Sequence, residues 1–159
     1  MIWKKTTYLI SVSYRKTAVF LNFSTTDKLL LLETIYWLML AKLAISLLPF
    51  RRISPFLGAL NDKSSEKTLA LSTIPKSIKS SIEIADRNIP CHNKCLVLAI
   101  AGQTLLKRKM VPSDLFLGLK KDIDKTKAHA WLKCGDFFVT GKKGAHNFTE
   151  IAVFSKKVK

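Results

Sequence analysis

The pattern of apolar and polar positions predicts helices in the first two thirds of this chain and strands in the last third. Residues 28–48 are almost continuously apolar. Ser24 and Asp27 before them suit a helix start, because a hydroxyl can cap the first turn and an acid is favourable there. Pro49 stops the run. The first predicted element is therefore a long apolar helix.

Two more helices follow. Pro75 suits the first turn of one of them. Its buried face is predicted by apolar residues at helical spacing: Ile78, Ile82, Ala85 and Ile89. The next helix has Asn93 as its candidate cap and runs from Lys94 to about Lys109. Because it is apolar nearly all round, we expect a central helix with neighbours on several sides.

After Pro112 the period changes to that of strands. The strand-like segments are 114–119, 128–133, 137–140 and 151–154. Residues 120–127 are predicted to form a charged loop, and Gly135-Asp136 a hairpin turn. In the second segment, alternation places His129 and Trp131 on one face of the strand, with Ala128, Ala130 and Leu132 on the other.

This order of elements predicts an α+β fold. Residues 1–23 form a lead-in without readable chemistry, and 24–60 an N-terminal helical part. A polar linker at 61–72 precedes a core at 73–159. The linker is too short to separate independent domains, so we expect one compact domain.

Charge and cysteine content indicate which partners and which cellular location to expect. The chain has 27 Lys+Arg against 11 Asp+Glu in 159 residues, a formal net charge of +16. The basic residues are scattered in ones and twos without interleaved aromatics, which disfavours nucleic acid and favours a solvated surface or an acidic peptide partner. Three cysteines cannot all pair within one chain, and no secretory signal is readable, so a cytoplasmic location is expected.

The long helix at 28–48 leaves three interpretations open. Its length could just span a bilayer, but Glu33 and Lys42 would each cost about 2.5–3.5 kcal/mol at the bilayer centre. A buried core helix is the favoured interpretation. Peripheral contact with a membrane and a membrane span are the alternatives.

Cys95 and His129 are the candidates for chemistry. With Asn93 as cap, Cys95 falls in the first helical turn, where the partial positive charge of the helix end stabilises a thiolate. His129 could act as the base and acid that such a nucleophile needs. A cysteine at a helix start with a histidine on a later strand is the layout of papain-like and transglutaminase-like thiol enzymes. The alternatives are an inert buried cysteine and a histidine satisfied in the core.

The sequence also offers candidates for metal ligands and for a third catalytic residue. Cys91, His92, Cys95, His129 and Cys134 could supply zinc ligands, but the chain has no CxxC pair, and a metal is not expected. A third residue should orient the histidine. The candidates are Asp136, Asn147 and Asp114, and Asp136 lies in the hairpin turn seven residues after His129.

Several motifs together resemble a known family. They are Phe23-Ser-Thr-Thr-Asp27, a leucine-rich helix ending in Leu48-Pro-Phe-Arg-Arg52, Cys95-Leu96, Ala128-His-Ala-Trp131 and Val139-Thr-Gly141. The chain resembles, over about residues 20–155, the stand-alone leader peptidases of lasso-peptide biosynthesis, which belong to the transglutaminase-like cysteine protease superfamily.

The resemblance implies a transglutaminase/papain-like core in which Cys95 is the nucleophile and His129 the base, with no cofactor. It implies removal of the leader from a ribosomally made precursor. It also implies a small leader-binding protein of the pyrroloquinoline-chaperone type (PqqD-like) and an asparagine-synthetase-like lasso cyclase as partners. One departure concerns the expected acid: the stretch from Phe137 to Gly141 contains none. Asp136 is the nearest candidate. A non-catalytic peptide-binding module and a transglutaminase-type acyl transferase are the alternative functions.

Overall fold

The computed structural model describes residues 24–61, 73–89, 95–121 and 125–157. The helices are α1 (Thr25–Leu47), α2 (Phe50–Ile53), α3 (Thr73–Asn88) and α4 (Cys95–Arg108), with short 3₁₀ turns at Ser54–Leu57 and Ala145–Asn147. The strands are β1 (Ala59–Leu60), β2 (Ser113–Lys121), β3 (Thr126–Cys134), β4 (Phe137–Thr140) and β5 (Thr149–Lys156). The fold is α+β, as the sequence predicts.

The five strands form one antiparallel sheet in the order β1-β5-β2-β3-β4. The predicted hairpin joins β3 to β4, with Gly135 at φ 58° in its turn. In the centre, Gly118 of β2 lies opposite His129 of β3, and Phe116 lies opposite Trp131. Residues opposite each other share a face, so these four positions line one side of the sheet.

The two faces of the sheet bury different clusters. On one face α4 packs against β3, where a Cβ added to Gly102 would lie 2.8 Å from the Leu132 side chain. This helix face holds the largest buried cluster, which includes Ala99, Leu105, Leu106, Leu115, Ala130, Leu132 and Cys134. On the outer face, Phe116, Trp131, Ala145 and Val153 form a second cluster, with Phe138 and Phe148 at its edge. The sequence pattern predicted this division for β3.

The N-terminal helical part packs directly on the core. The buried residues of α1 face α3 and α4, and the Thr34 and Ser81 hydroxyls lie 2.8 Å apart between α1 and α3. Glu33 of α1 accepts a hydrogen bond from Arg108 at the end of α4. These contacts hold α1 against the core on one side.

The opposite side of α1 is exposed and apolar. Its exposed large side chains are Leu29, Leu32, Tyr36, Met39, Leu40, Leu43 and Leu47. By length and composition α1 could cross a membrane, and 22% of its most apolar window is buried. A core helix of a soluble protein and a membrane-associated helix both fit these properties.

The sequence prediction differs from the structure in two places. The stretch 120–127 was predicted as a loop, but β2 continues to Lys121 and β3 begins at Thr126, because the ladder pairs Lys121 with Thr126. The two-residue strand β1 was not predicted, since two residues carry no readable period. The lead-in at 1–23, most of the linker and the candidate cap Asn93 lie outside the described residues.

Candidate active site

Cys95 begins α4. Its side chain is half-buried and carries a free thiol. It packs against the edge of the helix-face cluster with Leu96 and Leu98.

The topology brings Cys95 and His129 to the same end of the fold. From Arg108 the chain turns back through Met110 into β2, so α4 runs antiparallel to β2. β3 is also antiparallel to β2 and therefore runs in the same direction as α4. Cys95 starts the helix, and His129 is the fourth of the nine residues of β3.

The His129 ring is held on three sides. Its Nε2 lies 2.9 Å from the carbonyl oxygen of Gly141, the residue that follows β4. The ring centroid lies 5.9 Å from that of Trp131 and 5.0 Å from that of Phe148. His129 therefore lies on the outer face of the sheet with the aromatic cluster and is half-buried there.

Cys95 and His129 approach Gly141 from different sides. Leu98, one helical turn after Cys95, shares a cavity with Gly141 on the helix face. His129 bonds to the carbonyl of Gly141 from the outer face. Within the described ranges no hydrogen bond joins the Cys95 thiol to the imidazole.

The structure does not bring the proposed third residue to His129. Asp136 lies in the β3–β4 turn, its side chain is 86% exposed, and its carboxylate is 4.0 Å from Lys133 Nζ. Cys134, at the far end of β3, lies five residue steps after His129, which is about 16 Å at about 3.3 Å per step. The role of Asp136 stays a prediction that this geometry does not support.

The other two candidates for the third residue lie in different places. Asp114 is buried at the start of β2, opposite Lys133, and so lies at the same far end as Asp136. Asn147 is exposed, directly before the Phe148 that contacts the His129 ring. Of the three candidates, Asn147 alone belongs to the end of the sheet that holds His129.

Cys134 has a different environment from Cys95. It is fully buried, and its thiol donates a hydrogen bond to the Pro112 carbonyl at 3.2 Å. Burial, and secondarily the charge of Asp114, raises the pKa of Cys134 to about 11. It is therefore a structural thiol. Since it lies at the opposite end of β3 from His129, these two could not share the zinc ion considered as an alternative; Cys91 and His92 lie outside the described residues.

A cavity of about 250 Å³ opens on the helix face at Leu98, one helical turn after Cys95, and neither Cys95 nor His129 lines it. It lies between α3, α4 and the end of β4. Its apolar part includes Ile82, Leu98 and Val139, and its charged lining consists of Lys79, Glu83, Asp86, Lys142 and Lys143. Sequence reasoning did not find this cavity, because its walls come from three elements far apart along the chain.

The fold and the positions of the two residues define a class of protein. A cysteine opens a helix that packs on an antiparallel sheet, and a histidine lies on a neighbouring strand at the same end. This is the arrangement of papain-like and transglutaminase-like thiol enzymes.

The comparison with protein families agrees with this class. The family described as "Transglutaminase-like superfamily" matches residues 37–153, which is more than half of the chain. The chain belongs to that superfamily. No curated protein and no solved structure matches the chain. Because the superfamily generally comprises cysteine proteases and acyltransferases, the chemistry indicated is cysteine-dependent hydrolysis or acyl transfer.

Proposed function

We propose that this protein is a cysteine peptidase that removes the leader from a ribosomally made lasso-peptide precursor. The observation that supports the proposal is a half-buried free thiol, Cys95, at the first residue of a core helix, with His129 on a strand of the sheet that this helix covers, in a member of the transglutaminase-like superfamily. The resemblance in the Ala128–Trp131 and Cys95-Leu96 motifs supplies the substrate class.

The mechanism uses the thiol as nucleophile. Cys95 Sγ attacks the carbonyl carbon of the last leader residue while His129 takes the thiol proton. The imidazolium then protonates the leaving amine, the peptide bond breaks, and the leader remains as a thioester on Cys95. His129 next removes a proton from water, which attacks the thioester and releases the leader carboxylate. In this mechanism the Cys95 backbone N–H, at the helix start, would help hold the oxyanion.

The cavity at Leu98 is the proposed site for substrate residues near the cleaved bond. Its apolar part would take one uncharged side chain, and the surrounding lysines and acids would meet the polar peptide backbone. Under this proposal, a small leader-binding protein of the PqqD-like type delivers the precursor. An asparagine-synthetase-like cyclase then closes the ring on the newly exposed amine. The +16 net charge suits an acidic leader.

A second function remains a candidate on two observations. His129 is hydrogen-bonded to Gly141 rather than to Cys95, and no acid in the described segments is hydrogen-bonded to its ring. A non-catalytic module that only binds the precursor would tolerate both features. An acyl transferase that passes the acyl group to an amine is the third outcome.

Product analysis separates the three functions. The precursor, the leader-binding protein and this protein are incubated together, and products are identified by mass spectrometry. A free leader and a free core peptide support the peptidase. An amine-linked adduct shows an acyl transferase, and intact precursor that co-elutes with the protein shows a binding module. Cys95→Ser is the matched control, since it keeps the side-chain size and removes the nucleophile.

The exposed side of α1 supports a further part of the proposal, peripheral contact with a membrane of the cytoplasm. Its apolar side chains are exposed, and the basic residues Arg51 and Arg52 follow directly. Co-sedimentation with anionic vesicles tests it. Replacing Leu32, Met39 and Leu43 by Ser together should abolish the binding, and equal sedimentation of this variant would contradict the proposal.

A further inference from the structure

The hydrogen bond between His129 and Gly141 concerns the group that orients the histidine, for which the stretch from Phe137 to Gly141 offers no acid. Thiol enzymes of this class need a group that fixes the orientation and tautomer of the histidine. Among the described residues, one polar atom is in hydrogen-bond contact with the ring: the Gly141 carbonyl oxygen, 2.9 Å from Nε2. A carbonyl oxygen accepts and cannot donate, so the ring nitrogen that meets it must carry the proton.

We propose that the main-chain carbonyl of Gly141 is the positioning group of His129 and takes the place of the acid that the resemblance leads one to expect. This holds the neutral ring in its Nε2–H tautomer and leaves Nδ1 as the free base. The inference rests on the proposed function only for the use made of that base, because the tautomer itself is a property of the protein without substrate.

The position of this carbonyl depends on residue 141 being glycine. Gly141 has φ 71°, where side chains are rare. A Cβ at this position would lie 2.5 Å from the Ala130 carbonyl oxygen and 2.7 Å from Trp131 Cβ. The backbone after β4 can therefore cross close over β3 only without a side chain. This close crossing is what brings the carbonyl to the imidazole.

Aromatic side chains pack beside the imidazole on the outer face. Gly118 lies opposite His129, and a Cβ at Gly118 would lie 2.8 Å from the Trp131 ring and 2.9 Å from Phe148 Cβ. The absence of a side chain at Gly118 therefore leaves room for Trp131 and Phe148, whose rings contact the imidazole.

A carbonyl differs from a carboxylate in how much it favours the charged ring. A hydrogen bond to an ionised acceptor is roughly twice as strong as one to a neutral acceptor. Gly141 therefore orients His129 firmly but stabilises the imidazolium less than an acid would. This predicts a correctly aligned but slower peptidase.

The tautomer can be measured directly by long-range ¹H–¹⁵N correlation on protein labelled with ¹⁵N-histidine. His92→Gln and His146→Gln assign the signals. We expect His129 to show a protonated Nε2 and a bare Nδ1 above the pH at which the ring is charged. The exposed His146 is the internal control and should show a rapidly exchanging mixture. A protonated Nδ1 at His129, or a mixture like that of His146, overturns the proposal.

A pair of glycine variants tests the source of the effect. Gly141 and Gly144 both have positive φ in the same loop, but a Cβ at Gly144 meets nothing within 4 Å. Both alanine variants carry backbone strain, and only Gly141→Ala displaces the carbonyl. We expect Gly141→Ala to lose the fixed tautomer and to slow leader release at least tenfold, while Gly144→Ala keeps both. Retention of the fixed tautomer in folded Gly141→Ala contradicts the proposal.

The tautomer experiment also keeps this inference separate from the proposed function. If Gly141→Ala does not fold, the tautomer of the unmodified protein still decides the positioning role. A fixed Nε2–H tautomer in a protein that releases no leader would support the role of Gly141 and reject the peptidase. Leader release by a protein whose His129 carries its proton on Nδ1 would support the peptidase and reject the role of Gly141.

Discussion

The two cysteines that the structure describes lie at opposite ends of the same helix–strand layer, and their surroundings differ in kind. Cys95 is half-buried at the start of α4, one helical turn before Leu98 in the cavity wall. Cys134 is sealed at the end of β3, and its thiol donates a hydrogen bond to a backbone carbonyl. One end of the layer is therefore partly open to solvent, and the other end is closed.

The largest expected effect is on catalysis. Cys95→Ser should reduce leader release by about 10³-fold or more, as for the loss of a catalytic nucleophile. Cys134→Ser should leave the rate per folded molecule within about threefold, because Cys134 lies far from the site. The measurement is a time course of leader release, with the folded fraction checked by circular dichroism. Equal losses in both variants would remove the distinction between the two ends.

For stability, a substitution in the buried helix-face cluster should have a larger effect than one beside the cavity. Leu105 is fully buried in the helix-face cluster, and Leu98 is only partly buried beside the cavity. Leu105→Ala should lower the free energy of unfolding by about 2–5 kcal/mol, the usual cost of emptying a buried leucine site. Leu98→Ala should cost less than half as much. Urea unfolding followed by fluorescence checks both, and an equal cost would show that the cavity end is as tightly packed as the other.

A substitution in the cavity wall should have a more moderate effect, on KM for the precursor. Leu98→Phe adds a ring to its wall and should raise KM for the precursor about tenfold, because a substrate side chain is excluded. Alkylation of Cys95 by a small reagent should be unchanged in this variant, which serves as the control for an intact helix start. An unchanged KM would show that substrate does not use the cavity.

The smallest effect is a pH dependence of stability at the sealed end. Burial, and secondarily the charge of Lys107, lowers the pKa of Lys156 to about 8. Between that value and the unfolded pKa near 10.5 the unfolded chain binds more protons, so this group makes stability rise with pH. Cys134 acts in the opposite sense between its unfolded pKa near 9.0 and about 11, because the folded chain keeps the proton longer.

The two contributions overlap and oppose each other between about pH 9 and 10.5. Stability of the unmodified protein should therefore be nearly flat there. Cys134→Ala should show stability rising with pH, and Lys156→Met should show it falling, each by less than about 1 kcal/mol after solvent screening. Urea unfolding across this range measures the slopes, and slopes of the same sign in both variants would contradict the assignment.

The sequence predicted those parts of the fold in which apolar residues recur at the spacing of a helix or a strand. The helices at 78–89 and 95–106 and the strand around His129 each have several apolar positions at one spacing, so their types and buried faces could be read. It also predicted that His129 and Trp131 share a face, which the aromatic contacts confirm. These features follow from local patterns and hydrophobic burial.

The sequence could not reveal features that depend on backbone atoms or on several distant elements. The group that holds His129 is a main-chain carbonyl, which every residue has, and the only signal was Gly141 after a strand. The cavity and the position of His129 relative to Cys95 depend on how α3, α4 and β4 meet. A sequence distinguishes residues only by their side chains, so it can offer acids and amides as the third residue but not a main-chain carbonyl.

The central claim is that Cys95 and His129 form a coupled pair, and its most direct test is the alkylation rate of each cysteine against pH. Peptide mass spectrometry reads Cys91, Cys95 and Cys134 separately. We expect Cys95 to react fastest at neutral pH, with a profile that changes in His129→Ala and not in His146→Ala, while Cys134 stays unreactive in the folded protein. An identical Cys95 profile in His129→Ala and the unmodified protein would contradict the coupled pair and favour the binding module.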